Sequence, residues 1–444
     1  MDSRRAASAR LCAEPFTWKN LVRLSSFLLR SFATAALFIA VSSCSENLDS
    51  SGVCAVLCPP IGGDVQNLTL DATTVELDTT VNALSGLGTE PSLLLASRGD
   101  TLDTRVIIRF DSLPTTFVPV STGTSESITS VDSAYIQLRV DTLSIKGGGP
   151  YTIEAYDVDT TANDTSSAAV LALFRPDRFI SSQLLAREDL KDTVRYYISN
   201  AAVLAKIQSG VRFRVGLRLT SPLSSQIRIA SAERGFPPIL FFRATPDTTT
   251  HPLQVIPLSK TPTGDPIVAG HLTDYTVIAK GPPEAPPTLL AVGGLPPRRV
   301  YIRFDIPASI VDSTTVVRAT LLLNQISNPA LDPTETVFIL PQLVLAGKVV
   351  SDPAKAAQIV ADISSDTLKV RPGDEGPTSV EMARAFAIWR TQKPDTLPRA
   401  IILKTLDEGD SPLEIRFSSS DDVIAALRPR LRISYTSRVP LRVP

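Results

Sequence analysis

The feature that most constrains this chain is that its body is written twice. Val106-Ile107-Ile108-Arg109-Phe110-Asp111 is answered by Val300-Tyr301-Ile302-Arg303-Phe304-Asp305. Gln226-Ile227-Arg228-Ile229-Ala230-Ser231 is answered by Glu414-Ile415-Arg416-Phe417-Ser418-Ser419. A leucine-rich stretch precedes each IRFD segment, Leu93 to Ala96 in one copy and Leu289 to Val292 in the other. The matched segments lie about 190 residues apart, too far for a solenoid unit and ordinary for a duplicated domain. Two tandem units are therefore expected, at 66–245 and 246–444, joined through Thr245 to Pro252.

Within each unit the residues read as strands. The apolar fraction is 43%, mostly Val, Ile and Leu, mixed with Thr and Ser and broken by 35 prolines. That texture suits short strands and turns, so an all-β body is expected. In Val211 to Leu219 apolar residues take every second place and arginines fill most of the others, which predicts a core face and a charged, watered face. One short helix per unit is expected. Ser199 or Asn200 caps Ala201 to Ser209 and Gly210 ends it. Ala383 to Arg390 places Phe386 and Trp389 about one turn apart.

The order of these segments resembles the DNRLRE family: leucine-rich strand, IRFD strand, small-residue strand, short helix with a late Trp389, Arg416-Phe417-Ser418-Ser419, and closing Arg428-Pro429-Arg430-Leu431. The second unit, from about Pro266 to Tyr435, resembles it best; the first lacks the helix Trp and closes on Phe236-Pro237-Pro238-Ile239. The resemblance implies an extracellular bacterial module with a jelly-roll-like β-sandwich in each unit, in a family some of whose members bind acidic polysaccharides.

The first sixty residues carry a different message. Arg4, Arg5, Arg10, Lys19, Arg23 and Arg30 precede an apolar run from Ser31 to Val41, then Ser42-Ser43-Cys44. A basic region, a short apolar run and small residues before a cut describe an export signal. The run is shorter than the ~20 residues that a spanning helix needs. Val41 to Cys44 resembles the lipobox of bacterial lipoproteins, which implies cleavage after residue 43 and lipidation of Cys44. Ser45 in the next position points to the outer membrane of the cell envelope. Several acyl chains at ~0.8 kcal/mol per buried methylene form a stable membrane anchor. Residues 44–65 read as a flexible tether, with Cys54 and Cys58 open to either a local clip or no mechanistic role.

Little chemistry is marked. No cysteine follows Cys58, so thiol nucleophiles are excluded from the body; the histidines are His251 and His271 alone, and a Ser-His-Asp triad or a multi-histidine zinc site would have to use one or both. A net charge of −1 without a basic run gives no footprint for nucleic acid. His271 and Asp274 lie close in sequence, as a dyad or as parts of a surface loop. Asp157, Asp159, Asn163 and Asp164 form an oxygen-rich stretch that reads as a solvated turn or a structural calcium site; no other cofactor is implied. Arg109 with Asp111, and Arg303 with Asp305, project from one sheet face; they serve either the fold or an anionic sugar, as does Arg416. Aromatic residues are only 6% of the chain, which counts against a neutral-glycan platform. The expectation is a non-enzymatic binding or scaffold lipoprotein. Its alternatives are an assembly subunit of an envelope complex, whose partner is a protein, and a polysaccharide-active enzyme.

Overall fold

A computed structural model describes residues 65–437, apart from 71–73, 84–87, 121, 161–165, 245–250, 260–271, 364–366 and 392–395. The signal, Cys44, Cys54 and Cys58 therefore lie outside the described residues, as do Asn163, Asp164 and His271.

Strands dominate, as the alternation requires. The first apolar core is closed by two sheets. Its seven-stranded sheet centres on the strands Leu102–Phe110 and Phe213–Thr220, and its four-stranded sheet on Val131–Arg139. Inward residues from both sheets meet there: Val106, Ile108, Phe110, Val215 and Leu217 from one, Ile136, Leu138, Tyr196 and Phe242 from the other. The second core is enclosed by one twelve-stranded sheet that runs from Gln66–Leu70 through Thr314–Ile326 and Arg298–Phe304 to Val337–Val344. Phe417, Ile415 and Trp389 fill it; each large side chain taken from water contributes about 2–3 kcal/mol.

The pairing crosses the expected boundary between 245 and 246 in both directions. Gln66–Leu70 lies antiparallel to Arg430–Ser437, and Val75–Asn82 lies against Arg298–Phe304, both around the second core. In the opposite sense, Asp274–Lys280 lies against Leu102–Phe110, and Leu253–Val255 against Ile239–Ala244, both around the first. Each copy's first strands thus complete the other's sheet. A strand edge needs hydrogen-bond partners and takes them from whichever chain segment reaches it.

The two expected helices form. Asn200–Ser209 is capped by the Ser199 hydroxyl, which accepts from Ala202 N, and ends at Gly210 with φ +65°. Ala383–Thr391 buries Phe386 and Trp389 with their rings edge to face at 5.2 Å. The expectation of one helix per unit needs correction: Ser167–Leu171, Ala308–Ser313 and Pro353–Ala356 are additional short helices. Segments of four to six residues are too short to show a helical period. Among the described residues no helix is long and apolar enough to cross a membrane.

A second correction concerns Phe213–Thr220. Its arginine face meets water only in part: Arg214 is buried, while Arg218 stays partly exposed. Phe174 and Val158 close over Gly216, where an added Cβ would sit 2.5 Å and 2.7 Å from them. With Tyr156, Val170 and Tyr275 they build a smaller apolar layer on the outer face of the seven-stranded sheet.

Candidate functional site

The arginines singled out by sequence meet different fates. Arg109 is 1% exposed, its guanidinium over the Tyr275 ring at 5.3 Å. Asp111 accepts a bidentate pair from Arg214 at 3.0 Å and 3.1 Å. Arg109 is thus part of the fold and unreachable by a ligand. Arg416 is held by the Glu414 carboxylate at 2.7 Å and donates to the Pro283 carbonyl at 3.3 Å. The buried Glu414 is gripped from its other side by Arg298 at 2.7 Å. Those donors are spent on the fold, so the ligand role expected for Arg416 is withdrawn.

Arg303 remains accessible, its side chain 31% exposed. Its strand, Arg298–Phe304, runs out at Asp305, beside the start of Ala400–Thr405 and the end of Val337–Val344. These strand ends, with Glu76 of the Val75–Asn82 strand, enclose an open groove of about 520 Å³. Backbone bonds hold its walls: Phe304 N donates to Arg399 O at 2.9 Å, and Lys348 N to Thr396 O at 3.2 Å. Arg303, Lys348 and Arg399 bring three cations, against the carboxylates of Glu76 and Asp305. Arg303 Nε sits 2.9 Å from Glu76, close enough for an ion pair but not aligned as a hydrogen bond. Lys348 and Arg399 form no ion pair with any described residue. Tyr301 lies at the floor; burial pushes its phenol up, partly offset by Arg303. Pro307, Val350 and Pro398 add apolar wall. A guanidinium fork pairs with carboxylate or sulfate oxygens, and the apolar wall suits the C–H face of a sugar ring.

Sequence reading found Arg303 but missed Lys348 and Arg399. They stand 45 or more positions away, and neither carries a motif; only the strand register brings them together.

Of the oxygen-rich stretch considered for calcium, Asn163 and Asp164 lie outside the described residues, and the two described carboxylates are already paired. Asp157 is paired with Lys206 at 2.8 Å, and Asp159 with Arg212 at 2.8 Å. Carboxylates neutralised in this way are poor ligands for a hard cation, and no group of three or more metal-ligating His, Cys, Asp or Glu side chains occurs among the described residues. Asp274 is fully buried and accepts from Ala232 N at 3.0 Å, so it is not part of an exposed loop dyad.

A second exposed feature was invisible in the sequence. On the outer face of the four-stranded sheet, Tyr197, Tyr135 and Phe241 lie in register on adjacent strands. Tyr135 stacks on Phe241 at 5.2 Å and tilts against Tyr197 at 6.0 Å, with Arg195 over its ring at 5.0 Å. The low aromatic fraction gave no hint of this row, because its members are 44 to 106 positions apart.

No family model matches the chain, and no curated protein matches it. Alignments to solved structures reach infectious bursal disease virus proteins. For the virus-derived T=1 particle the identity is 9%, covering 84% of this chain and 74% of that one, with a TM-score of 0.12. For the VP2 subviral particle the identity is 7%, covering 84% and 77%, with a TM-score of 0.11. Scores of this size establish no common fold, and what the molecule does has to be argued from its own groove and surfaces.

Proposed function

We propose that this chain is a lipid-anchored, non-enzymatic protein of the bacterial cell envelope that binds an anionic polysaccharide in the groove at Arg303, Lys348 and Arg399. The observation that carries the reading is the presence of two cations without an ion-pair partner beside an apolar wall. Fixed cations with no partner in the fold are arranged to meet an anion from outside. The lipid anchor rests on the signal and Cys44, and the tandem jelly-roll-like architecture on the duplication and the family resemblance.

The test is retention of the purified full-length chain on immobilised polygalacturonate, chondroitin sulfate and neutral dextran. Retention on the acidic polymers alone, weakened about tenfold or more by Lys348→Ala or Arg399→Ala with unchanged unfolding temperature, supports the reading. Equal retention of wild type and both variants sinks it. Labelling with a radioactive fatty acid, lost in Cys44→Ala, tests the anchor separately.

A second reading has its own observation. The Tyr197-Tyr135-Phe241 row with Arg195 has the aromatic and arginine content of protein interfaces. Tyr135 and Phe241 are stacked face to face and Tyr197 is tilted against them, so the row offers no continuous flat platform for a sugar. Loss of a fixed envelope partner on Tyr197→Asp would favour an assembly subunit.

A further inference from the structure

The exchange of strands gives each half a four-stranded face whose last strand comes from the other copy. In the first half the order is Thr193–Tyr197, Val131–Arg139, Ile239–Ala244 and Leu253–Val255. In the second it is Gly376–Glu381, Thr314–Ile326, Arg430–Ser437 and Gln66–Leu70. The register matches the two faces position for position. Tyr197, Tyr135, Phe241 and Gln254 stand in line across the first. Glu381, Thr320, Arg432 and Thr69 stand in line across the second. Arginine therefore holds the place of Phe241, and threonine that of Tyr135.

Those exchanges open a trough where rings cover the first face. Alternate side chains leave a strand on opposite sides, so Arg318, Thr320 and Leu322 point away from the core that Ala319, Leu321 and Leu323 fill. Thr320 is buried at the floor of an open groove of about 580 Å³. Asn67, Thr69 and Ser379 line it with Arg318 and Arg432. Arg432 is exposed and forms no ion pair with any described residue. The Arg318 side chain is 72% exposed, and its Nε stands 3.7 Å from one oxygen of Glu381. The other oxygen of Glu381 accepts from Met382 N and Ala383 N at 3.1 Å and 3.0 Å. The hydroxyls of Thr69, Thr320 and Ser379 have no hydrogen-bond partner among the described residues. Asn67 Oδ1 accepts from Ser434 Oγ at 2.5 Å, which leaves its amide N–H groups free to donate.

We infer that this face is a second binding groove, separate from the one at Arg303, and that it takes a sulfated or carboxylated glycan chain across the strands. Arg432 and the loosely paired Arg318 supply fixed positive charge, and a guanidinium fork pairs with sulfate or carboxylate oxygens. The hydroxyls and the Asn67 amide between them meet the ring hydroxyls of a sugar. Four strands at a spacing of ~4.8 Å make the row roughly 14 Å wide, much longer than a lone sulfate ion. Leu322 is its one apolar lining residue and no aromatic ring lines it, so a neutral glycan held by ring stacking finds no platform here. The groove lies on the face of a paired sheet and not along an open edge, so a peptide would gain no backbone pairing. Asn67 and Thr69 belong to the strand that the first copy contributes, so the site is complete only through the exchange.

Modification of the full-length chain by phenylglyoxal, mapped arginine by arginine with mass spectrometry, locates the ligand. Chondroitin sulfate should slow modification of Arg432 and Arg318 about fivefold or more, whereas neutral dextran, and inorganic sulfate at the same sulfate concentration, should not. The protection should persist in Lys348→Ala/Arg399→Ala, which removes cations from the other groove, and that of Arg318 should be lost in Arg432→Ala. Arg399 reports the Arg303 groove separately in the same wild-type experiment. Modification of Arg432 and Arg318 that chondroitin sulfate leaves unchanged, with Arg399 protected, overturns this inference and leaves the Arg303 reading standing. The reverse pattern supports this groove and sinks that one. Equal protection of Arg432 by inorganic sulfate would mean a small-anion site and overturns the glycan.

Discussion

Arg109 and Arg303 occupy the same place in the two copies of one motif, yet one is sealed in the protein and the other lines a groove. The cross-strand neighbour decides. Opposite Arg109 in the register stands Arg214, whose guanidinium takes Asp111. Opposite Arg303 stands Ala400, which has no side chain with which to fill the space or claim Asp305. Cover differs too. Phe174, Val158 and Tyr275 close over the first sheet, whereas the outer apolar cluster of the second, around Tyr301 and Ala400, leaves the strand ends open beside Lys348 and Arg399. The same Arg-x-Asp spacing therefore builds a buried ionic layer in one half and an open groove lined by charged side chains in the other. What a duplicated motif does is set by its neighbours, not by the motif.

The sharpest way to break this contrast is to remove the matched aspartates. Asp111→Ala removes the bidentate carboxylate of the buried Arg214 and leaves it Asp159 Oδ1 at 3.9 Å; breaking a buried pair costs about 3–5 kcal/mol. Asp305 is exposed, so Asp305→Ala should lie within about 0.5 kcal/mol of wild type. Urea unfolding of the two variants measures the difference. Equal costs would mean that the two aspartates are not in the different environments described.

How much of this was readable beforehand follows from what each signal depends on. The strands Leu102–Phe110 and Arg298–Phe304, and the helix ending at Gly210, are local: alternation and a capping hydroxyl suffice to mark them. The fate of Arg214 was misread because alternation reports which residues share a face, not whether another layer covers it. The strand exchange was illegible for a related reason. Val75–Asn82 is close in sequence to the first copy, and only edge pairing in space assigns it to the second sheet. Of the candidate groove, Arg303 was visible through its repeated motif. Lys348 and Arg399 were not, because two loop cations carry no period and no spacing rule.

The cover itself can be tested next. Gly216 on the Phe213–Thr220 strand has no room for a methyl group under Phe174 and Val158. Gly216→Ala should cost about 1–3 kcal/mol by overpacking, with the displaced cover opening the Arg109 side to water. Hydrogen exchange at Ala155 and Leu217 should rise with the loss of stability. A neutral result would show that the outer layer packs loosely, and would leave the burial of Arg109 to Arg214 and Tyr275 alone.

The smallest effect probes the open side of the comparison. Glu76 is half exposed and partly occupies Arg303, so in the groove it competes with any incoming anion. An exposed pair of this kind is worth less than about 1 kcal/mol, and Glu76→Gln should barely move the unfolding midpoint. It should nevertheless strengthen binding to polygalacturonate about threefold, because Arg303 is freed and one repelling charge is gone. Retention on neutral dextran should not change. A stronger variant would place the ligand's charge at Arg303 itself. A weaker one would mean that Glu76 accepts hydrogen bonds from the sugar, and that Lys348 and Arg399 carry the anionic recognition at the far wall.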